Sequence, residues 1–256
     1  MSSKGIALVT GAAQGIGRAI ALRLADDGFD VAVNDLSPNS QVLDALVDEI
    51  KQKGRESFIF VADVSEEEQV KEMVEEVVKK LGGLDVMVAN AGVVGPRLAR
   101  LTDLSAEQWD RVMNINARGT FLCYKYAGLQ MIAQGRSGRI IGASSVAGKK
   151  GLATQAPYSA SKFAIRGLTQ AAALEFGPHG ITVNAYAPGA VDTPMLTTGS
   201  PDPVALLSRA SFKEMSPLKQ IGTAEDIANL VSFIASKESQ FITGQSISIN
   251  GGLFFD

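Results

Sequence analysis

The stretch Thr10-Gly11-Ala12-Ala13-Gln14-Gly15-Ile16-Gly17 decides the fold of this chain. It follows a short apolar run and opens a segment whose apolar residues recur at helical period. Glycines in such a turn let the backbone bend sharply and approach a diphosphate, whose charge the helix N-terminus then stabilises. Three residues separate the first two glycines, so the spacing differs from the common G-x-G-x-x-G. The stretch indicates a dinucleotide site, with a plain strand-to-helix turn as the alternative.

The same alternation of strand and helix patterns continues along the chain. Short β-branched runs predict seven strands, at residues 5–10, 30–34, 57–61, 84–89, 138–143, 181–186 and 246–249. Amphipathic stretches predict helices at residues 15–27, 39–53, 66–81, 106–134, 157–176 and 224–236. Such alternation is typical of parallel strands joined by helical crossovers that cover both faces of a sheet. We therefore expect an α/β fold with a doubly wound, seven-stranded parallel sheet.

One segment interrupts this alternation. Residues 194–222 are rich in proline, serine and threonine, with a short helical patch at residues 204–213. A stretch of that length without strong periodicity is usually a functional loop or a lid. A chain of 256 residues is long enough to bury one full core. We predict a single domain, residues 1–256, with a substrate-binding lid at residues 194–222.

Composition excludes several classes of function. The net charge of -3 and the pI near 5.4 argue against binding to nucleic acid, because phosphates require a basic surface. Cys123 is the only cysteine, so no intramolecular disulfide can form, and we expect a cytoplasmic protein. No apolar run approaches eighteen residues, so we expect no membrane span. With a single histidine, His179, we expect no metal site.

Tyr158 and Lys162 carry the strongest chemical signal. They are four residues apart in a predicted helix, so both side chains lie on one face. A phenol with a pKa near ~10 is a poor acid–base catalyst at neutral pH, and a neighbouring ammonium lowers that pKa. Ser145 lies thirteen residues upstream, where its hydroxyl can meet the same substrate oxygen. Alone, this serine would be an ordinary hydroxyl at a strand end.

Asp35 indicates which dinucleotide is bound. It ends the second predicted strand, about twenty residues after the glycines, where a carboxylate can accept hydrogen bonds from ribose hydroxyls. Neither Gln14 nor Leu36 is basic, so no cation is available there for a 2′-phosphate, and Asp35 would repel one. We expect NAD rather than NADP. The alternative for Asp35 is a solvated turn residue.

Several motifs in this order resemble the short-chain dehydrogenase/reductase family over essentially the whole chain. They are the glycine-rich stretch, Asn90-Ala91-Gly92, Ser145, the pair Tyr158 and Lys162, and Pro188-Gly189 followed by Thr193. The resemblance implies a single-domain Rossmann fold and hydride transfer between a nicotinamide cofactor and a carbonyl or alcohol. It also implies a homotetramer packed through the long helices at residues 106–134 and 157–176.

The resemblance further implies roles for individual residues. Asn116 would hold a proton-relay water, and Ser145 would orient and polarise the substrate carbonyl. Tyr158 would pass the proton, while Lys162 would lower its pKa and bind the nicotinamide ribose. The implied cofactor site consists of Gly11, Gln14, Gly15, Ile16, Gly17, Asp35, Asp63, Val64, Asn90, Ala91, Gly92, Tyr158, Lys162, Pro188, Gly189, Val191 and Thr193. The expected substrate contacts are Ser145, Val146, Gln155, Tyr158 and Met195.

Within the family, the pattern is similar to the acetoin/diacetyl reductases, also called meso-2,3-butanediol dehydrogenases. The similar stretches are residues 15–24, 161–170 and 243–246. The expected pocket lining is mainly apolar with one amide, which suits a small diketone or hydroxyketone. We therefore predict an NAD-dependent reductase of such ketones that also oxidises the corresponding secondary alcohols.

Three other functions stay open. A sugar or polyol dehydrogenase would need a more polar pocket. A 3-oxoacyl-acyl-carrier-protein reductase is disfavoured by Asp35 and by the lack of a basic surface for an acidic carrier. A dinucleotide-sensing protein without catalysis would be expected to have lost part of the set Ser145, Tyr158 and Lys162, and all three residues are present.

Overall fold

The computed structural model describes residues 3–96, 99–197 and 203–256 of the chain. Within these residues, seven strands form one parallel sheet in the order β3-β2-β1-β4-β5-β6-β7. In chain order the strands are β1 (Ile6–Thr10), β2 (Asp30–Asp35), β3 (Ser57–Val61), β4 (Val86–Ala89), β5 (Gly138–Ala143), β6 (Ile181–Pro188) and β7 (Ser246–Ile249). All seven predicted strands are confirmed, with ends that shift by two residues at most.

Helices cover both faces of this sheet, as the alternation predicts. The described helices are α1 (Gly15–Asp26), α2 (Ser40–Gln52), α3 (Glu67–Leu81), α4 (Ala106–Met113), α5 (Gly119–Gln134), α6 (Ala156–Phe176), α7 (Pro194–Thr197), α8 (Pro203–Met215) and α9 (Ala224–Ala235). Buried residues of α1, α2 and α9 form one apolar cluster with the sheet, and those of α3, α5 and α6 form the other. The chain therefore has a doubly wound Rossmann fold.

The strand order reverses between β1 and β4, and this reversal determines where a ligand can bind. Consecutive crossovers leave the two strands in opposite directions, so a crevice opens beyond their carboxyl ends. Gly11 follows β1, and Asn90 follows β4. Both motifs singled out by sequence therefore lie at the same crevice.

The predicted helix at residues 106–134 is wrong in one respect. The structure divides it into α4, a π-helical turn at Asn114–Arg118, and α5. A π turn accommodates an extra residue, and such turns are frequent at functional sites. Hydrophobic periodicity did not reveal the extra residue, because α5 is apolar over most of its surface and its apolar stripe therefore has no sharp edge.

The predicted lid segment is largely helical where it is described. The expected patch at residues 204–213 lies inside α8, while residues 198–202 lie outside the described residues. Arg209 donates to the Asp192 carboxylate at 2.6 Å, and the Ser216 hydroxyl donates to the Gly251 carbonyl at 2.9 Å. Arg209 and Ser216 thus bond the segment to residues that follow β6 and β7. No helix in the described part of the chain is long and apolar enough to cross a bilayer.

Candidate functional site

The glycine-rich turn after β1 is packed so closely that only glycine fits at its two ends. Gly11 has a φ of +63°, and a Cβ there would lie 2.9 Å from the Ala91 Cα atom. A Cβ on Gly17 would lie 2.2 Å from the Gly11 carbonyl oxygen. Gln14, the N-cap of α1, makes no side-chain cap, and the first turn carries no acidic residue. The N–H groups of that turn can therefore bind an anion.

Asn90 joins the end of β4 to this turn. Its amide nitrogen donates to the Thr10 and Gly11 carbonyl oxygens at 2.8 and 3.1 Å. The backbone N–H groups of Asn90 and Ala91 donate to the Thr10 hydroxyl at 3.0 and 3.1 Å. These bonds hold the two strand ends at a fixed separation across the crevice.

The Asp35 carboxylate is held in place at the end of β2. It accepts hydrogen bonds from the backbone N–H of Ala13 at 3.0 Å and that of Leu36 at 2.8 Å. The side-chain amide of Asn39 donates to it at 2.8 Å. Asp35 is partly exposed, so lone pairs remain for a ribose hydroxyl. Sequence reasoning did not find Asn39, because an asparagine in a polar turn is unremarkable.

The segment after β3 is fixed by its own side chains. The Asp63 carboxylate accepts from the backbone N–H and the hydroxyl of Ser65 at 2.9 and 2.7 Å. Val64 is buried against α5, where a Cβ on Gly119 would lie 2.8 Å from the valine methyl group. Asp63 and Val64, both in the implied cofactor site, therefore lie at the carboxyl edge of the sheet, two strands from the glycine-rich turn.

Tyr158 and Lys162 lie one turn apart near the start of α6. The Lys162 ammonium is 5.4 Å from the centre of the Tyr158 ring and donates to the Ala143 carbonyl at 2.6 Å. A Cβ on Gly92 would lie 3.5 Å from the same ammonium. Lys162 is only 4% exposed, so a buried positive charge lies between the Tyr158 ring and the end of β4.

Ser145 lies near Tyr158. Ser145 follows β5, and its hydroxyl oxygen accepts from the Ala147 N–H at 3.1 Å in the short turn Val146–Gly148. The Ser145 side chain lies close enough to the Tyr158 phenol to favour its ionised form. Two hydroxyl groups therefore lie near each other beside the crevice, where they can bind the same substrate oxygen.

The titration of Tyr158 and Lys162 differs from the sequence-based prediction. Burial raises the pKa of the Tyr158 phenol above its usual value, and the nearby Ser145 hydroxyl offsets part of this shift. Burial also lowers the pKa of Lys162, to about 8. In the chain by itself the pKa of the phenol is therefore raised and not lowered as predicted, because the loss of hydration is the largest effect on it.

Asn116 lies in the π turn and is fully buried. Its side-chain oxygen accepts from the Val93 N–H at 2.8 Å, and its amide nitrogen donates to the Val93 carbonyl at 2.8 Å. The same nitrogen donates to the Ser161 hydroxyl at 3.0 Å. Asn116 therefore connects the segment after β4 to α6. Its role with a relay water stays a prediction.

The end of β6 completes the crevice. A Cβ on Gly189 would lie 2.9 Å from the Leu253 side chain, which explains the glycine after Pro188. Val191 forms a parallel bridge to Gly222. Thr193 packs on the glycine-rich turn, 3.4 Å from the position of a Cβ on Gly15. Thr193, the last residue of the implied cofactor site, thus contacts the glycine-rich turn.

The predicted substrate contacts come from three elements. Val146 follows Ser145 directly, and Gln155 is the N-cap of α6, three residues before Tyr158. Met195 lies on α7 and is 44% exposed. In the described part of the chain, no group of three or more His, Cys, Asp or Glu side chains is placed to hold a metal ion.

Sequence reasoning missed Tyr186. This tyrosine on β6 is 1% exposed and donates its hydroxyl proton to the Asn90 side-chain oxygen at 2.8 Å. An aromatic residue in an apolar strand is predicted to lie in the core. Only the folded chain brings the Tyr186 hydroxyl to Asn90, 96 positions away.

The fold and this site define a dinucleotide-dependent oxidoreductase, and the comparisons with known proteins agree. A family model described as enoyl-(acyl carrier protein) reductase matches residues 11–254. A short-chain dehydrogenase/reductase of Armillaria gallica is 54% identical over 254 residues, covering 98% of this chain and 96% of the relative. A 3-oxoacyl-[acyl-carrier-protein] reductase of Staphylococcus epidermidis is 44% identical over 248 residues, covering 97% of this chain and 98% of the relative.

A solved structure also superposes on nearly the whole chain. Acetoin dehydrogenase of Salmonella typhimurium has a TM-score of 0.86 at 33% identity, covering 99% of this chain and 97% of that chain. This chain belongs to the short-chain dehydrogenase/reductase family, whose members bind NAD(P) and act on CH–OH groups. The site fits that cofactor, because Gly11 and Gly17 leave the close approach that a diphosphate needs.

Proposed function

We propose that this chain is an NAD(H)-dependent oxidoreductase that interconverts a small ketone, such as diacetyl or acetoin, and its secondary alcohol. The observation that carries the proposal is the convergence of the Ser145 and Tyr158 hydroxyls next to the buried ammonium of Lys162. This cluster lies at the crevice that the glycine-rich turn and Asn90 form.

The chemistry follows from the charges that these residues would meet. The bound nicotinamide cofactor supplies or accepts the hydride. In reduction, negative charge develops on the carbonyl oxygen, and the two hydroxyls are already aimed at one point where they can stabilise it. Tyr158 donates the proton through its phenol oxygen. The Lys162 ammonium, 5.4 Å from the ring centre, then stabilises the phenolate that remains.

Asp35 supports NAD as the cofactor. Three hydrogen bonds from the protein hold its carboxylate at the end of β2, so it cannot easily turn away from a bound ribose. A vicinal diol can donate to that carboxylate, whereas a 2′-phosphate would bring two negative charges together. Leu36, the next residue, is 48% exposed and brings no positive charge.

A small uncharged ketone is the substrate we favour. Val146 directly follows Ser145, and Met195 lies in the lid segment. Both of these side chains are apolar, while Gln155 supplies one amide. The 33% identical relative named acetoin dehydrogenase supports this substrate class. A second candidate is a 3-oxoacyl thioester, favoured by the 44% identical relative named 3-oxoacyl-[acyl-carrier-protein] reductase. Such a substrate would reach the same hydroxyls with its ketone.

Steady-state rates test the two candidates directly. NADH and NADPH are each combined with diacetyl, acetoin, a ketose and a 3-oxoacyl thioester, and cofactor absorbance is followed. We expect NADH with diacetyl or acetoin to give the highest kcat/KM. A preference for the thioester or the ketose would replace the substrate class and leave the roles of Ser145 and Tyr158 intact.

The cofactor preference has its own matched variant. Asp35→Asn keeps the shape of the side chain and removes the charge that opposes a 2′-phosphate. We expect the ratio of kcat/KM for NADH to that for NADPH to fall by about tenfold or more, since 1.4 kcal/mol corresponds to a factor of ten. A wild-type enzyme that works better with NADPH would contradict our assignment of Asp35.

The assembly and location extend the proposal. We propose a homotetramer packed through α5 and α6, because both helices expose large apolar side chains: Phe121, Leu129, Phe163 and Leu174. We also propose the cytoplasm as its location, where the buried thiol of Cys123 would stay reduced.

A further inference from the structure

Tyr186 forms a buried hydrogen-bonded chain that leads to the glycine-rich turn. Its hydroxyl donates to the Asn90 side-chain oxygen at 2.8 Å. The amide nitrogen of the same Asn90 donates to the Thr10 and Gly11 carbonyl oxygens at 2.8 and 3.1 Å. One side chain on β6 is thereby linked, through a single amide, to the turn after β1.

The orientation of the Asn90 amide follows from its partners. Two carbonyl oxygens, which can only accept, face one side of the amide, so the nitrogen must lie there. The amide oxygen then faces Tyr186, and the phenol must act as the donor. Rotating the amide by 180° would place its oxygen against the two carbonyls. Tyr186 thus donates to the Asn90 oxygen in the one orientation of the amide that also bonds the glycine-rich turn.

The path from β6 to β4 crosses β5 on one face of the sheet. Tyr186 is paired in register with Ala143, whose side chain belongs to the same apolar cluster and is only a methyl group. The tyrosine ring can therefore extend over β5 towards Asn90. Burial raises the pKa of the Tyr186 phenol far above its usual value, so the proton needed for this bond is retained at every working pH.

The Asn90 side-chain amide is closely packed against α1. A Cβ on Gly17 would lie 2.5 Å from the Asn90 amide nitrogen and 2.2 Å from the Gly11 carbonyl oxygen. A rotation of Asn90 would therefore move the Gly11 carbonyl and the first turn of α1, which supply the N–H groups for a diphosphate.

We propose that Tyr186 is a positioning residue for cofactor binding, which fixes the Asn90 amide and through it the glycine-rich turn. It acts through Asn90, since the hydrogen bond of its hydroxyl is to the Asn90 side chain. The inference rests on the proposed function only in that the bound group is a dinucleotide. It does not depend on the substrate.

Tyr186→Phe tests the proposal because it removes one hydroxyl and keeps the ring. The Asn90 oxygen then lacks its donor, and we expect the Kd for NADH, measured by cofactor fluorescence, to rise about three- to tenfold. In steady state the loss is expected in the KM for NADH, with a smaller effect on kcat and on the KM for the ketone. A purely structural role would lower the melting temperature without this split.

Tyr124→Phe is the matched control. Tyr124 is also 1% exposed and has one hydrogen bond, to the Thr169 hydroxyl at 3.0 Å, with no connection to the turn. We expect it to lower the melting temperature as much as Tyr186→Phe and to leave the Kd for NADH unchanged.

The measurements distinguish failure of the inference from failure of the proposed function. Weaker NADH binding in Tyr186→Phe alone supports the inference. Equal Kd values in both variants and the wild type, or equal losses in both variants, would overturn it while leaving the proposed function in place. If the wild type binds neither NADH nor NADPH, the proposed function fails together with the inference.

Discussion

Tyr158 combines a hydroxyl that faces Ser145 with surroundings that oppose its ionisation. Burial raises the pKa of this phenol, whereas alcohol oxidation requires the phenolate as the base. The rate of oxidation should therefore rise with pH through the neutral and alkaline range, whereas the rate of ketone reduction should stay level, because the phenol remains protonated below its raised pKa. Measuring kcat in both directions between about pH 6 and 10 checks the sign.

The Tyr158→Phe variant separates the proton transfer from cofactor binding. It should bind NADH like the wild type and lose about 10²-fold or more in kcat, because only the proton donor is removed. A pH-independent rate of oxidation in the wild type, with chemistry limiting, would contradict the assignment of Tyr158 as the base.

Lys162 makes the stability of the chain depend on pH. Burial lowers its pKa to about 8 in the folded chain, whereas an unfolded chain has a lysine pKa near ~10.4. Between these values the unfolded state binds more protons than the folded state, so the free energy of unfolding rises with pH in that window. Below the folded pKa both states are protonated, and the cost of burying the charge is constant.

Lys162→Met should remove this dependence. The melting temperature of the cofactor-free wild type should rise relative to that of the variant between about pH 8 and 10. Other titrating groups contribute equally to both proteins, so the difference isolates Lys162. A difference that stays constant across this range would show that Lys162 does not titrate in the folded chain.

Two features at the scale of single elements explain how the site is built. The first is the π turn between α4 and α5, which turns Asn116 towards both Val93 and Ser161. The second is the close contact of α1 with the turn before it. Helices and strands follow from periodicity and propensity, but neither of these features has a periodic signal. Both features depend on which backbone segment packs against them in the folded chain.

Gly17→Ala tests the close contact. The added methyl group would lie 2.2 Å from the Gly11 carbonyl oxygen and 2.5 Å from the Asn90 amide nitrogen. We expect a loss of about 1–3 kcal/mol in the free energy of unfolding, measured with urea, together with weaker NADH binding. Helix propensity alone would predict a gain, since alanine is favoured over glycine.

Gly177→Ala is the control. Gly177 ends α6 with a φ of -52°, and apart from its chain neighbours no atom lies within 4 Å of its Cβ position. Pro178 follows, and the ring of a proline disfavours a helical backbone at the residue before it. We therefore expect a loss of stability smaller than that of Gly17→Ala, because the neighbouring ring is the main steric cost. Equal effects of the two substitutions would show that contact with Gly11 and Asn90 is not the cause.

At the scale of the whole molecule, the large apolar side chains that α5 and α6 expose bear on assembly. Leu174 on α6 is 82% exposed and Leu129 on α5 is 56% exposed. If the chain forms the proposed homotetramer, Leu174→Glu should place a charge in the interface and reduce the mass measured by light scattering. Burying an unpaired charge costs several kcal/mol.

Leu101→Glu is the matched control for assembly. Leu101 is 71% exposed but lies in the turn before α4, off the α5 and α6 face. We expect its mass in solution to match that of the wild type. A wild-type protein that is monomeric at micromolar concentration would refute the tetramer.

The amino-acid sequence by itself determined the order of elements, the parallel sheet and the identity of the chemical groups. The strand–helix alternation, the glycine-rich stretch and the spacing of Tyr158 and Lys162 are local patterns, and backbone geometry translates them directly into structure. Ser145 and Tyr158 are close enough in sequence, and on elements of predictable direction, for their convergence to be inferred as well.

The tertiary structure alone decided the contacts between distant segments and the energies that depend on burial. Tyr186 and Asn90 are 96 positions apart, and their bond exists only because β4, β5 and β6 are neighbours in the sheet. The pKa of Tyr158 rises in the fold because packing removes water from this partly buried side chain, and no sequence spacing gives the hydration of a group. Desolvation is a property of the whole packed molecule, so it could be known only from the folded chain.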